Sequence, residues 1–346
     1  MDEISFRAHE CARAAAEDAQ EVRLRRFALT LIGTFFGALG ALLLAILYID
    51  PYDSGRFPSL GVQGTSLFFQ RYANVGLARS ARFDSAIFGN SHAQLIDPQR
   101  LSAATGMKFV QLATPGANPP ELLVTMRWFI RHHTEISALV LGFDERWCTT
   151  DRVIATRTPF PFWLYGDSNL VYIANMLSTR TLRDSVDRVM FALGRRPVPR
   201  QDGYDDYEIG RTRNFHPAQT FPPRREQPGP ALAELAATAP ARSFPAIDML
   251  DDVLRDLPEV AKVVVVLPPQ YASRVADDDG SLEQGINACK LELWRRTRPR
   301  GAFLDFLVQS PITRDADNFW DEEHYTSKVA RTVEARLAEV LDAASR

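Results

Sequence analysis

The chain has three cysteines in 346 residues, too few to define the disulfide frameworks that staple small secreted domains. It has no Cys or His cluster with zinc-site spacing, so neither a metal centre nor a bound cofactor is expected. A basic excess is missing as well. Forty Lys and Arg stand against 43 Asp and Glu, a net charge of -3, which leaves no general footprint for nucleic acid. No internal repeat is visible. Long apolar runs are missing except for one, residues 27–49. What remains is a chain that is 46% hydrophobic, enough for a packed core in one large or two small domains.

The single apolar run is 23 residues without a charge, long enough at about 1.5 Å rise per residue to span a bilayer as a helix. Arg23, Arg25 and Arg26 precede it and Asp50 and Asp53 follow. The positive-inside rule then puts residues 1–26 in the cytoplasm and everything after Asp50 outside. A cleaved signal peptide is the competing reading, but the run is long for a signal core and no small-x-small cleavage site follows it. Tyr48 suits an interfacial anchor. Cys11 falls on the cytoplasmic side; Cys148 and Cys289 fall in an oxidising space where a bridge is permitted. Two free, buried thiols are the expected state of that pair.

Residues 50–61 hold prolines, glycines and serines and read as an exit linker, with residues 67–82 as a helix or irregular cover. From residue 83 short apolar runs alternate with helical patterns. Strands are expected at 86–88, 107–112, 138–142, 262–267 and 302–307. Residues 262–267 are apolar and β-branched without alternation, as in a parallel strand buried on both faces. Helices are expected at 119–133, where Pro119, Pro120 and Glu121 are start signals, at 169–194, 244–254 and 282–296, and in a last helix carrying Val329, Val333, Leu337 and Leu341, with Thr326 and Ser327 as caps. The aromatic stretch 160–165 reads chiefly as core packing. Residues 195–230 are rich in Pro, Arg, Asp and Gln and read as a long loop, lid or insertion at the rim, extending to about 243. Its Arg211, Arg213, Arg224 and Arg225 suit a solvated loop or contact with an anionic polymer. Strand and helix alternation of this kind implies an α/β fold, a three-layer α/β/α sandwich with a mainly parallel sheet.

Chemistry concentrates at two places. Ala86-Ile87-Phe88 runs into Gly89-Asn90-Ser91-His92, which puts a serine at the carboxyl end of a buried strand, where open α/β sheets bind ligands. A serine hydroxyl needs a nearby base that is itself oriented by a third group. Of the six histidines only His324 has an aspartate, Asp321, three residues before it. Between these lie Gly116, in a loop joining a strand end to a helix start, and Asp144, after the third strand.

Gly89-Asn90-Ser91 near the start of the domain, with Asp321-x-x-His324 before its last helix, resembles the SGNH (GDSL-like) hydrolase superfamily. It looks most like the membrane-anchored branch that includes the alginate O-acetylation proteins and the D-alanyl transfer protein. The resemblance implies a flavodoxin-like SGNH fold over residues 83–346. It also implies a nucleophile at Ser91, a general base at His324 and an orienting acid at Asp321, with Gly116, Asn90 and Asp144 at oxyanion or substrate positions. The family's third block carries an Asn whose side chain completes the oxyanion hole; here Asp144 stands in its place, and an ionised carboxylate cannot donate. The activity implied is that of an extracytoplasmic serine esterase or O-acyltransferase on acyl esters of cell-envelope or secreted polysaccharide, in the periplasm if the cell is Gram-negative, beside a membrane-bound acyltransferase. A non-catalytic assembly subunit with the same fold is the alternative.

Overall fold

The computed structural model of the chain describes residues 3–61, 69–151, 159–222, 232–275 and 285–343. In chain order the elements are α1 (Glu3–Ile49), α2 (Gln70–Arg79), β1 (Ser85–Phe88), α3 (Pro98–Thr105), β2 (Phe109–Gln111), α4 (Pro119–His132), β3 (Ala138–Gly142), α5 (Phe162–Tyr165), α6 (Asn169–Met176), α7 (Thr179–Ala192), α8 (Leu232–Thr238), α9 (Pro245–Arg255), β4 (Lys262–Leu267), α10 (Gly285–Thr297), β5 (Gly301–Asp305), α11 (Pro311–Arg314) and α12 (Ser327–Ala343). The five expected strands all form. They pair in parallel in the order β2-β1-β3-β4-β5, a doubly wound order whose switch point lies between β1 and β3. Their carboxyl ends at Phe88 and Gly142 therefore flank the crevice where such sheets bind ligands.

Both sheet faces are covered, which is why the strands read as unbroken apolar runs. Ala86, Phe88, Leu139, Leu141, Val263 and Val265 pack with α4 and α9 residues such as Leu123, Phe129, Leu250 and Val253. Ile87, Val140, Val264 and Val266 pack with Leu101 of α3 and Val333, Leu337 and Leu341 of α12. Local chemistry sets the helix ends. Asp97 caps α3 by accepting from Gln99 N at 2.8 Å, Pro98 opens it, and Gly106 closes it in the left-handed region. Glu334 of α12 reaches back to Asp97 N at 2.7 Å and to Arg100 at 2.7 and 2.8 Å, which fixes α3 against α12.

Helix α1 carries the apolar run. Its stretch Glu17–Ile49 is long and apolar enough to cross a membrane, and only 6% of its most apolar window is covered by the rest of the chain.

Several expectations are corrected. The helix expected at 169–194 is two, because the Ser178 side chain accepts from Thr181 N at 3.1 Å and caps a new start although the apolar spacing runs on. Residues 50–55 are not a loose linker: Asp50, Tyr52 and Ser54 are buried. Asp50 Oδ1 and Oδ2 accept from Ser54 N and Gly55 N, both at 2.9 Å. Thr326 ends up capping α12 through its carbonyl, which accepts from Val329 N and Ala330 N, while its hydroxyl is buried without a partner. Arg213 is not free for a polymer; it donates to Ala316 O at 3.1 Å and pairs with Asp317 at 2.6 Å. The ends of three expectations, residues 67–68, residues 282–284 and the pair Arg224 and Arg225, lie outside the described residues.

Cys148 and Cys289, expected as free thiols, are joined in a disulfide with Cα atoms 5.3 Å apart and a sequence separation of 141. The fold brings the segment after β3 against α10, a proximity that spacing in the sequence does not reveal. Closing so long a loop restricts the unfolded chain, a contribution of about 2–5 kcal/mol. Cys148→Ser paired with Cys289→Ser, or reductant added to the wild type, should lower the unfolding free energy by that amount, seen as a lower denaturant midpoint. An unchanged midpoint would deny the bridge any structural weight.

Candidate active site

The site begins where β1 stops. A Cβ built on Gly89 would lie 2.7 Å from Ala93 Cβ and 3.3 Å from Gly142 O, and one on Gly142 would lie 2.9 Å from the same Ala93 Cβ. The two strand ends and the turn carrying Ser91 therefore interlock with no room for side chains. Residues Ser91–Ala93 form a single 3-10 turn capped by Asn90 Oδ1, which accepts from His92 N at 3.0 Å. Buried Gln111 holds the turn from β2. Its Nε2 donates to Ala93 O at 3.0 Å and Ile96 O at 2.8 Å, and its Oε1 accepts from Ala113 N at 2.9 Å.

The other half approaches from the carboxyl side of β5. Phe319 and Tyr325 pair as an isolated antiparallel bridge and Trp320 N donates to His324 O at 2.7 Å, so residues 320–324 close on themselves. Within the loop Asp321 Oδ1 accepts from Glu323 N and His324 N, both at 2.8 Å. His324 Nδ1 lies 2.9 Å from Asp321 Oδ2 and His324 Nε2 lies 2.9 Å from Ser91 Oγ. These partners fix the tautomer: Nδ1–H donates to the carboxylate, and Nε2 accepts from the serine hydroxyl. Burial alone would raise the Asp321 pKa, but the hydrogen bonds from His324 and from the backbone of Glu323 outweigh it and hold it at about 2. The His324 side chain is 28% exposed and that of Asp321 56%, so the pair faces solvent.

The structure thus brings Ser91, His324 and Asp321 into one hydrogen-bonded line. Asn90 and Asp144 form a second group beside it. Asn90 Nδ2 donates to Asp144 Oδ2, and Asp144 Oδ1 accepts from Arg146 N at 3.1 Å. Burial, reinforced by the charge of Glu145, pushes the Asp144 pKa up to about 7 against the opposing pull of Arg146 and its hydrogen bonds. Arg146 Nη1 also donates to Ala117 O at 3.3 Å, tying this group to the Gly116 loop. There Ala117 N donates to Thr114 O at 2.9 Å, and Gly116 sits at φ +67° behind Pro115, the placement a Pro-Gly turn of type II requires. The loop is attached to the turn carrying Ser91 by Thr114 N, which donates to Gly89 O at 2.8 Å. Among the described residues Gly116 makes no hydrogen bond to Ser91, His324 or Asp321.

Other residues at the site were not legible from spacing. His92 is buried next to Ser91, its ring 5.4 Å from that of His324 and its Nδ1 without a partner; burial, and the neighbouring His324, bring its pKa down to about 4. Asn74 of α2 donates to Leu112 O at 2.9 Å and Thr114 Oγ1 at 3.0 Å. Tyr207 donates to Tyr325 O at 2.8 Å and meets the His324 ring edge-on. Glu208 accepts from Ser327 N at 3.0 Å and from the Trp320 indole. Arg274 pairs with Glu323 at 2.7 Å. The signal for Tyr207 and Glu208 was the compositional break at residue 195: the described part of that stretch, residues 195–222, is a strap across the His324 loop. No protein-family model and no curated protein matches this chain.

Because its pKa is depressed, Asp321 stabilises the folded chain above its ordinary value of 3.8, and that contribution is lost as pH falls through about 2. The thermal midpoint of the wild type should therefore exceed that of Asp321→Asn at about pH 5, with the gap narrowing below about pH 4 and closing near pH 2. A gap that stays constant over that range would mean that the carboxylate is not held by these contacts.

Proposed function

We infer that this protein is a membrane-anchored, extracytoplasmic serine esterase or O-acyltransferase of SGNH type, acting on acyl esters of cell-envelope or secreted polysaccharide. Its domain is taken as the three-layer α/β/α, flavodoxin-like form of that superfamily. The observation that carries this reading is the line Ser91 Oγ, His324 Nε2, His324 Nδ1, Asp321 Oδ2, with both links at 2.9 Å. That line is what a serine nucleophile needs for activation.

In the proposed reaction Ser91 Oγ attacks the acyl carbonyl and its proton passes to His324 Nε2. Asp321 stabilises the imidazolium through Nδ1–H. The tetrahedral oxyanion takes hydrogen bonds from the backbone N–H groups of Ser91 and Gly116, and its collapse breaks the ester bond as His324 returns the proton to the leaving alcohol. Water, or a sugar hydroxyl, then gives its proton to His324 and attacks the acyl carbonyl; collapse breaks the bond to Ser91 Oγ, which takes the proton back from His324 Nε2. Asp144 completes the hole only while it carries a proton, since only then has it an O–H to donate. Activity should accordingly fall as pH rises through about 7, and Asp144→Asn should flatten that fall. An unaltered profile would exclude Asp144 from this role.

Two further observations support the extracytoplasmic, anchored form. The Cys148–Cys289 bridge suits an oxidising compartment. Ile46, near the end of α1, is buried in the domain core, so loss of the apolar helix would open that core, unlike removal of a signal peptide. The N-terminal residues 1–26 are then cytoplasmic, and transfer would draw its acyl group from a membrane-bound acyltransferase.

The second reading, an assembly subunit without catalysis, is favoured by the carboxylate at Asp144. A fluorophosphonate probe separates the two. The catalytic reading expects labelling of the wild type and none of Ser91→Ala, with ester hydrolysis reduced by about three orders of magnitude or more in Ser91→Ala and His324→Ala. No labelling of the wild type would sustain the assembly reading.

A further inference from the structure

Helix α7 is built inside out for a protein in water. The face it turns to the domain is polar: Thr181, Ser185 and Arg188 are buried, Arg188 to 1% exposure. Arg188 donates to Asp53 Oδ1 at 3.3 Å, and Thr181 Oγ1 lies 3.1 Å from the Tyr52 hydroxyl. The face it turns outward is apolar, with Leu182, Val186 and Leu193 exposed at intervals of four and seven residues, one stripe of a helix. The preceding helix α6 buries Tyr172 and exposes Leu170, at 82%, and Val171. Among the described residues twelve large apolar side chains are exposed after residue 49, and six of them, including Leu177, lie within residues 169–193.

This surface is continuous with the end of the apolar helix. Both α6 and α7 pack against α1, and the large apolar residues of α1 exposed at that end are Leu42, Leu44 and Tyr48. The buried knot at residues 50–55 joins the two: besides the Tyr52 and Asp53 contacts, Ser54 Oγ lies 3.0 Å from the Tyr172 hydroxyl. The knot gives Thr181 and one nitrogen of Arg188 their partners, Ser185 Oγ donates to Thr181 O of its own helix at 2.7 Å, and Arg188 Nε and Nη1 are buried without one, while the aliphatic side chains of α7 point away.

We propose that α6 and α7 form a platform that lies in the headgroup and upper acyl region of the bilayer crossed by α1, giving the domain a second membrane contact beside its anchor. An amphipathic pair with aliphatic residues outward and its polar side turned to the domain suits that depth, and the aromatic residue at the end of α1 suits the same level. The proposal rests on α1 spanning the bilayer and is independent of the chemistry at Ser91.

The test uses the full chain in a Cys11→Ser background, with its disulfide intact. Single cysteines at Leu170, Val186, Phe36 and Glu339 are labelled with an environment-sensitive fluorophore. Each protein is reconstituted in phosphatidylethanolamine–phosphatidylglycerol vesicles with and without lipids carrying a spin-label quencher in the upper acyl chain. Phe36 reports on α1, and Glu339 lies on α12, over the sheet face remote from α1. The expected result is quenching at 170 and 186 comparable to that at 36, with none at 339. Quenching at 36 with 170 and 186 behaving like 339 would leave the anchor standing and overturn the platform. Quenching at none of the four would remove the anchor, and the platform with it.

Discussion

A 2.9 Å contact between Ser91 Oγ and His324 Nε2 joins segments 233 residues apart, and most of the polar structure around it restrains one end or the other. Hydrogen bonds hold only over a few tenths of an ångström, so both partners have to be fixed by something stiffer than the contact itself. On the serine side the stiffness is steric. Gly89, Gly142 and Ala93 interlock, and Gln111 bridges from the next strand. On the histidine side it is a closed loop braced from outside by Tyr271 N on Glu322 O, by Arg274 on Glu323 and by the strap residues Tyr207 and Glu208. Tyr325 links the two halves directly, its hydroxyl donating to His92 O.

The strap explains how a stretch so poor in aliphatic residues stays ordered. It contributes side-chain and backbone hydrogen bonds to existing elements and builds no core of its own. Arg200 pairs with Asp97 at the cap of α3 and with Asp202, at 2.7 and 2.5 Å, and Asp202 O accepts from Gln111 N at 2.7 Å. Further along, Tyr271 donates to Gln219 O at 2.9 Å. The strap thus runs from the exposed edge of β2 to the His324 loop, covering an edge strand that would otherwise present open backbone groups.

How much of this was legible beforehand follows from which forces are local. The five strands were, because burial on both faces writes a continuous apolar run into the sequence. The meeting of Ser91, His324 and Asp321 was, because Asp321 and His324 lie three residues apart, within reach of one carboxylate–imidazole hydrogen bond, and Ser91 ends a strand whose apolar run marks it. The break at Ser178 was not, since its cap competes with an apolar spacing that continues across it. Nor was the Cys148–Cys289 bridge, which depends on packing between segments 141 residues apart. Residues 50–55 look like a linker by composition, but Asp50 uses both carboxylate oxygens on the following backbone, a local device that composition does not distinguish from an exposed turn. His92 next to the nucleophile was passed over because nothing in its spacing marks a buried imidazole.

That knot at residues 50–55 has a mechanical consequence. A domain hung from a long slack tether sweeps a hemisphere and samples many orientations. Here α1 runs as a continuous helix past Ile46, within the core, and the chain turns immediately through buried Asp50, Tyr52 and Ser54, so no slack segment separates helix from domain. The distance and tilt of the Ser91 crevice relative to the axis of α1 are thereby set by the fold, and the site's freedom to search is that of the whole body.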